Sequence, residues 1–175
     1  GMDALTHALE ALASTRANYV SDILATQSAI DIMETLPIAY ENGTDMHARE
    51  IMLQASMVAG MAFTNVSLGI VHSMAHTLGG MFHVAHGLAD AILLPYVIRY
   101  NSSDAKAKEV YDTFAKKVGA ENLYEAVEAL NKKLNIPSCL QEVIPDEAAF
   151  VEKLDEMAAL AKADGCTKTN PIIPE

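Results

Sequence analysis

An all-α single domain of about seven to eight helices is predicted for this chain, and three observations predict it. Apolar residues recur with the helical period in nearly every segment, and none keeps the two-residue alternation of a half-buried strand. The composition is 51% hydrophobic with 9 Met and no Trp, which suits a compact, helix-rich interior. At 175 residues the chain has the length for one well-filled core.

Taken in order, a first helix is expected from about Asp3 to Asn18. A second starts near Ser21 and carries Ile23, Leu24, Ile30, Ile32 and Met33 before Pro37 ends or kinks it. Positions 41–45, Glu-Asn-Gly-Thr-Asp, read as a turn, with Thr44 or Asp45 available as a cap. The third helix, AREIMLQASMVAGMAF, is apolar almost all round and is expected to form the buried centre. Helices near 69–82 and 87–100 follow, the second apolar through Ala-Ile-Leu-Leu before Pro95. Segments 104–118, 122–135 and 146–163 are charged and amphipathic, as an outer layer requires. The tail GCTKTNPIIPE has no helical character.

A formal net charge of -11 and the lack of any basic stripe argue against nucleic acid or an anionic membrane as partner. No stretch reaches the roughly 18 to 20 apolar residues of a membrane span, and no signal-peptide pattern opens the chain. Cys139 and Cys166 form neither a CxxC nor a disulfide framework, so a reducing cytoplasm is the expected location.

Four of the six histidines lie between positions 72 and 86, in VHSMAHTLGGMFHVAHG. On a helix His72 and His76 project from one face. Gly79 and Gly80 offer a turn that returns His86 to the same spot. Asp3 and His7, in GMDALTHALEA, repeat the four-residue spacing. A lone buried histidine is more often a hydrogen-bonded core residue, and Asp3 suits a helix start for its own sake. Burying several imidazoles among Met, Leu, Gly, Ala and Phe is costly unless each finds a strong partner, and a shared cation is one. Oxygen and imidazole donors without thiolate suit Fe(II), Zn or Mn. HSMAH is not the HExxH of zinc proteases, because Ser73 stands where their general base would be. No P-loop, GxSxG or GxGxxG is present.

GMDALTHALEA, then GMAFTNVSLGIVHSMAHTLGGMFHVAHGLADAILLPYVIRYN, then DGCTKTNP closely resemble the iron-dependent (group III) alcohol dehydrogenases across essentially the whole chain. The resemblance implies the helical, dehydroquinate-synthase-like C-terminal domain of such enzymes. It implies Asp3, His7, His72 and His86 as ligands of one divalent metal, usually Fe(II) and sometimes zinc. It assigns His76 to proton relay or cofactor contact, and Phe63 and Cys166 to the substrate pocket; His83 is a further pocket or supporting position. Ala85 and Thr77 stand where the family often has proline, and neither change removes a ligand.

The implied chemistry of the complete enzyme is metal-assisted, NAD(P)-dependent interconversion of small alcohols and aldehydes or ketones. This chain is expected to supply the metal and substrate side. Residues 1–175 are read as the metal-binding domain, with the glycine-rich nucleotide-binding domain absent, so no NAD(P)-dependent turnover is expected of the chain alone. The uncovered domain face predicts a homo-oligomer. The alternative is a non-catalytic metal-binding domain or subunit that needs a separate nucleotide-binding partner.

Overall fold

The computed structural model describes residues 1–175 as eight α-helices and two short 3-10 turns, without a strand. The helices are α1 (Met2–Ala13), α2 (Tyr19–Glu41), α3 (Met46–Val66), α4 (Ile70–Phe82), α5 (His86–Asn101), α6 (Ala105–Lys117), α7 (Leu123–Lys133) and α8 (Glu147–Ala163). Their starts are written in side chains. Asp45, Asp104, Asn122 and Asp146 each accept the backbone N–H three residues on, at 2.8–3.0 Å. Asn18 and Ser21 form a reciprocal capping box at the start of α2.

The centre of the molecule is α1, ten of whose twelve residues are buried. It packs against α2, α3, α5 and α6, while α4 lies against α5 and α8. The expectation that α3 forms the buried centre is therefore corrected. That helix buries a stripe of small residues, Ala48, Ala55, Ala59 and Ala62, and turns Leu53, Met57 and Met61 outward. Small side chains let α2 and α3 approach closely enough for Ser28 Oγ to donate to the Ala55 carbonyl at 2.7 Å.

Four local expectations also change. Helix α1 stops at Ala13, where Ser14 Oγ donates to the Val66 carbonyl and Thr15 N–H to the Thr169 carbonyl. Of the two outcomes expected at Pro37, an end or a kink, the end does not occur, since α2 continues to Glu41. Proline there removes one donor, and the packing of α2 along α1 and α3 outweighs that loss. Gly79 and Gly80 are helical; the reversal falls after α4 at His83, whose backbone is left-handed with φ 55°. The tail is not wholly irregular, since Gly165–Thr169 forms a 3-10 turn. No single helix is long and apolar enough to cross a membrane.

Candidate metal centre

Three helix starts converge on one point. Asp3 lies in the first turn of α1, His72 in the first turn of α4, and His86 is the first residue of α5. His7 follows one turn after Asp3. Side chains tilt toward a helix N-terminus, so these groups reach into the space the three ends share. The Oδ1 of Asp3 lies 3.3 Å from His7 Nε2, 3.5 Å from His72 Nε2 and 3.4 Å from His86 Nε2. Donor atoms sharing one cation at bonds of about 2.0–2.2 Å stand about 3–3.5 Å apart. The rings of His7 and His72 stack at 4.7 Å, and His72 meets His86 edge-on at 5.3 Å.

Two donor atoms here are buried without a hydrogen-bond partner, Asp3 Oδ1 and His72 Nε2. Buried polar atoms are rarely left so. A divalent cation among the four residues would satisfy both, and the donor set of one carboxylate and three imidazoles fits such an ion.

The position of His72 is set from α1. Glu10 is buried, and its carboxylate accepts from Gly69 N–H at 2.9 Å, Val71 N–H at 2.7 Å and His72 Nδ1 at 2.6 Å. Ile70 N–H goes to Asn170 Oδ1 at 3.3 Å. The first free amides of α4 are thus satisfied by other segments, in place of the side-chain cap that Gly69 cannot provide. A Cβ on Gly69 would stand 2.8 Å from Glu10 Oε1 and 2.7 Å from Asn170 Oδ1, so glycine is required there. With Nδ1–H donated to Glu10, Nε2 is the atom of His72 that faces Asp3 and the one whose proton a cation would replace. Gly87 serves the α5 side: a Cβ there would lie 3.3 Å from the Cβ of Asp3.

Charge is unevenly shared among these side chains. His72 beside it lowers the Asp3 carboxyl well below its ordinary value, against burial. Burial works to lower the His72 pKa, and Asp3 and Glu10 outweigh it, raising it to about 10. Burial lowers His7 to about 4 and also lowers His86, with Asp3 opposing in both. Burial pushes Asp90 up to about 8.

Around this cluster stand the remaining expected residues. His76 stacks on His86 at 5.5 Å, is half-exposed, and bonds through Nδ1 to Asp164 Oδ2 at 2.8 Å. Asp164 Oδ1 accepts the backbone N–H of Cys166 at 2.8 Å, which ties the tail to the His76 side of the centre. Burial and Asp164 push the Cys166 thiol up to about 12, so it is a thiol and not a nucleophile at neutral pH. Phe63 lies against the His7 ring, centroid to centroid 4.3 Å. His83 is exposed and forms the C-cap of α4, outside the cluster.

Two carboxylates escaped the sequence reading, Glu10 and Asp90. Glu10 is seven residues after Asp3, on the same face of α1. Asp90 is one turn after His86, fully buried, with Oδ2 3.3 Å from His86 Nε2. Helical spacing from a suspected ligand was the available signal in both cases.

The profile of the Fe-containing alcohol dehydrogenase family, C-terminal, matches residues 1–175. The NADPH-dependent butanol dehydrogenase of Clostridium saccharobutylicum is 44% identical over 180 residues, covering 98% of this chain and 45% of that protein. The 1-propanol dehydrogenase of Citrobacter freundii is 38% identical, covering 100% of this chain and 50% of its own length. The solved structure of an iron-containing alcohol dehydrogenase from Thermococcus thioreducens superposes with a TM-score of 0.93 at 34% identity, over 99% of this chain and 46% of that one. The chain spans about half the length of the curated relatives it matches.

Proposed function

The chain belongs to the Fe-containing alcohol dehydrogenase family, and from that premise we propose that Asp3, His7, His72 and His86 hold one divalent cation in the reduction and oxidation of small alcohols and aldehydes. One observation carries the reading: a single buried, unpartnered carboxylate oxygen of Asp3 stands 3.3–3.5 Å from the Nε2 atoms of three histidines. Fe(II) is the favoured ion, with zinc the alternative the same donors accept. The resident cation supplies Lewis acidity toward the substrate oxygen.

The chain's own residues do the rest. Oxidation of an alcohol removes a hydride from carbon and a proton from oxygen. In a complete enzyme a nicotinamide cofactor would take the hydride. The proton needs an acceptor, and His76 supplies one. Its Nδ1 is engaged by Asp164, which orients the ring and leaves Nε2 to take the proton and pass it to solvent. Asp164 stabilises the imidazolium that results. Phe63, packed on the His7 ring, and Cys166, tied to Asp164 through its N–H, are assigned to the substrate side. Glu10 holds His72 in the tautomer that presents Nε2.

The test is the metal content of the chain purified without oxygen and without a nickel column. About one equivalent of iron or zinc per chain is expected, lost in His72→Ala and His86→Ala. A wild-type chain that stays free of metal when offered either ion would overturn the reading.

A further inference from the structure

Resting on the reading of this cluster as a divalent-metal centre, we propose that Asp90 is a fifth protein ligand. The centre is then built from three imidazoles and two carboxylates. Asp90 is 0% exposed, and neither of its oxygens has a hydrogen-bond partner. One donor atom each from Asp3, His72, His86 and Asp90 lies within 4.8 Å of all the others. The Oδ2 of Asp90 is 3.3 Å from His86 Nε2, the same separation that Asp3 Oδ1 keeps from His7 Nε2.

Competition for His86 makes the case. Its Nε2 is the nitrogen that faces both Asp3 and Asp90. Once that lone pair is given to a cation, Nε2 carries no proton, and Asp90 loses its nearest donor. Asp90 is then a fully buried carboxyl group with no hydrogen-bond partner on either oxygen, and such a group is costly to leave unsatisfied. Placed against the same cation, it is satisfied.

Electrostatics argues the same way. The positive ends of α1, α4 and α5 all face the cluster and oppose a bound cation. Glu10 is already committed to two backbone amides and to His72. Asp3 alone would then face a divalent ion and three helix starts. Asp90 supplies the second negative charge and brings the site to neutrality.

Five protein donors leave one position of an octahedron for a substrate oxygen. Such a site favours ions at ease with five or six ligands, as Fe(II) and Mn are, over tetrahedral zinc.

Cobalt(II) reads coordination directly, because four-coordinate Co(II) absorbs visible light far more strongly than five- or six-coordinate Co(II). The full chain, wild type and Asp90→Asn, is loaded with Co(II), and its affinity is measured by competition with a chelator. Weak bands are expected for the wild type. In Asp90→Asn the bands should strengthen toward the four-coordinate pattern, with affinity lower by on the order of 10- to 100-fold. A wild type and variant with the same spectrum and affinity would refute the fifth ligand and leave the metal centre standing. Failure of the wild type to bind Co(II) would remove both. Should Asp90→Asn not fold, the wild-type spectrum decides alone: intense four-coordinate bands count against Asp90, and weak ones support it.

Discussion

Glu10 Oε2 accepts the Nδ1 proton of His72 at 2.6 Å across 62 residues of sequence, with both side chains buried. This one contact joins the central helix to the start of the histidine helix. It also decides which nitrogen of His72 faces the centre. Glu10→Ala would leave His72 Nδ1 and the amides of Gly69 and Val71 without acceptors. At about 1–3 kcal/mol for each unsatisfied group, the loss should reach several kcal/mol in chemical denaturation. Glu10→Gln keeps an acceptor oxygen, so it should destabilise less. It should still weaken metal binding, on the order of 10- to 100-fold in chelator competition. Equal stability of the Ala variant and the wild type would contradict the role given to Glu10.

Two glycines in the same region should respond in opposite directions. Gly87→Ala puts a Cβ 3.3 Å from the Cβ of Asp3 and must displace that residue by a few tenths of an ångström. Metal affinity should fall, while the melting temperature of the cation-free chain changes little. Gly80→Ala meets nothing within 4 Å on an exposed helical face. It should raise stability by about 0.5–1 kcal/mol and leave metal binding alone. Calorimetric unfolding and metal titration of the pair separate the two effects.

Cation-free and cation-loaded chains should diverge as pH rises. His72 is raised to about 10 from 6.5, and Asp90 to about 8 from 3.8. Both groups therefore keep protons in the fold that they lose when unfolded, so the cation-free chain loses stability as pH rises from 7 toward 10. A cation takes the place of those protons, and its binding tightens over the same range. Melting temperatures with chelator and with Co(II), at pH 7 and pH 9, should show a gap that widens at the higher pH. A gap that narrows would contradict this assignment of protons.

His76→Gln should spare the metal and slow the chemistry. Its ring bonds to Asp164 and stacks on His86 without sharing the Asp3 oxygen. In an enzyme completed by its nucleotide-binding half, kcat for alcohol oxidation should fall by on the order of 10²–10⁴-fold. Metal content should not change. Asp164→Asn should also lower kcat, because the His76 ring loses the carboxylate that orients it. A kcat unchanged in both variants would place proton transfer elsewhere.

Much of the site was readable because its members come in helical pairs. Asp3 with His7 and His72 with His76 are each one turn apart, and spacing alone puts each pair on one face. Glu10 and Asp90 are also one turn or two from a suspected ligand, yet an acidic residue on a helix is ordinarily a solvated one. Glu10 is buried where the start of α4 meets it through Gly69, Val71 and His72, and Asp90 is buried on α5, which packs against α1. The same limit explains α3. Its apolar residues ring the helix, and nothing in their order says that the alanines face inward and Leu53, Met57 and Met61 outward.

The sequence by itself determined the all-helical class and most helix boundaries, and it singled out Asp3, His7, His72 and His86 as candidates, because periodicity, caps and donor chemistry act over a few residues. Tertiary structure decided which helix is central, where the chain reverses before His86, that Pro37 is carried within a helix, and that Glu10 orients His72. Those outcomes depend on contacts between segments tens of residues apart. Their energies are set by burial and by hydrogen bonds that exist only once the helices have met.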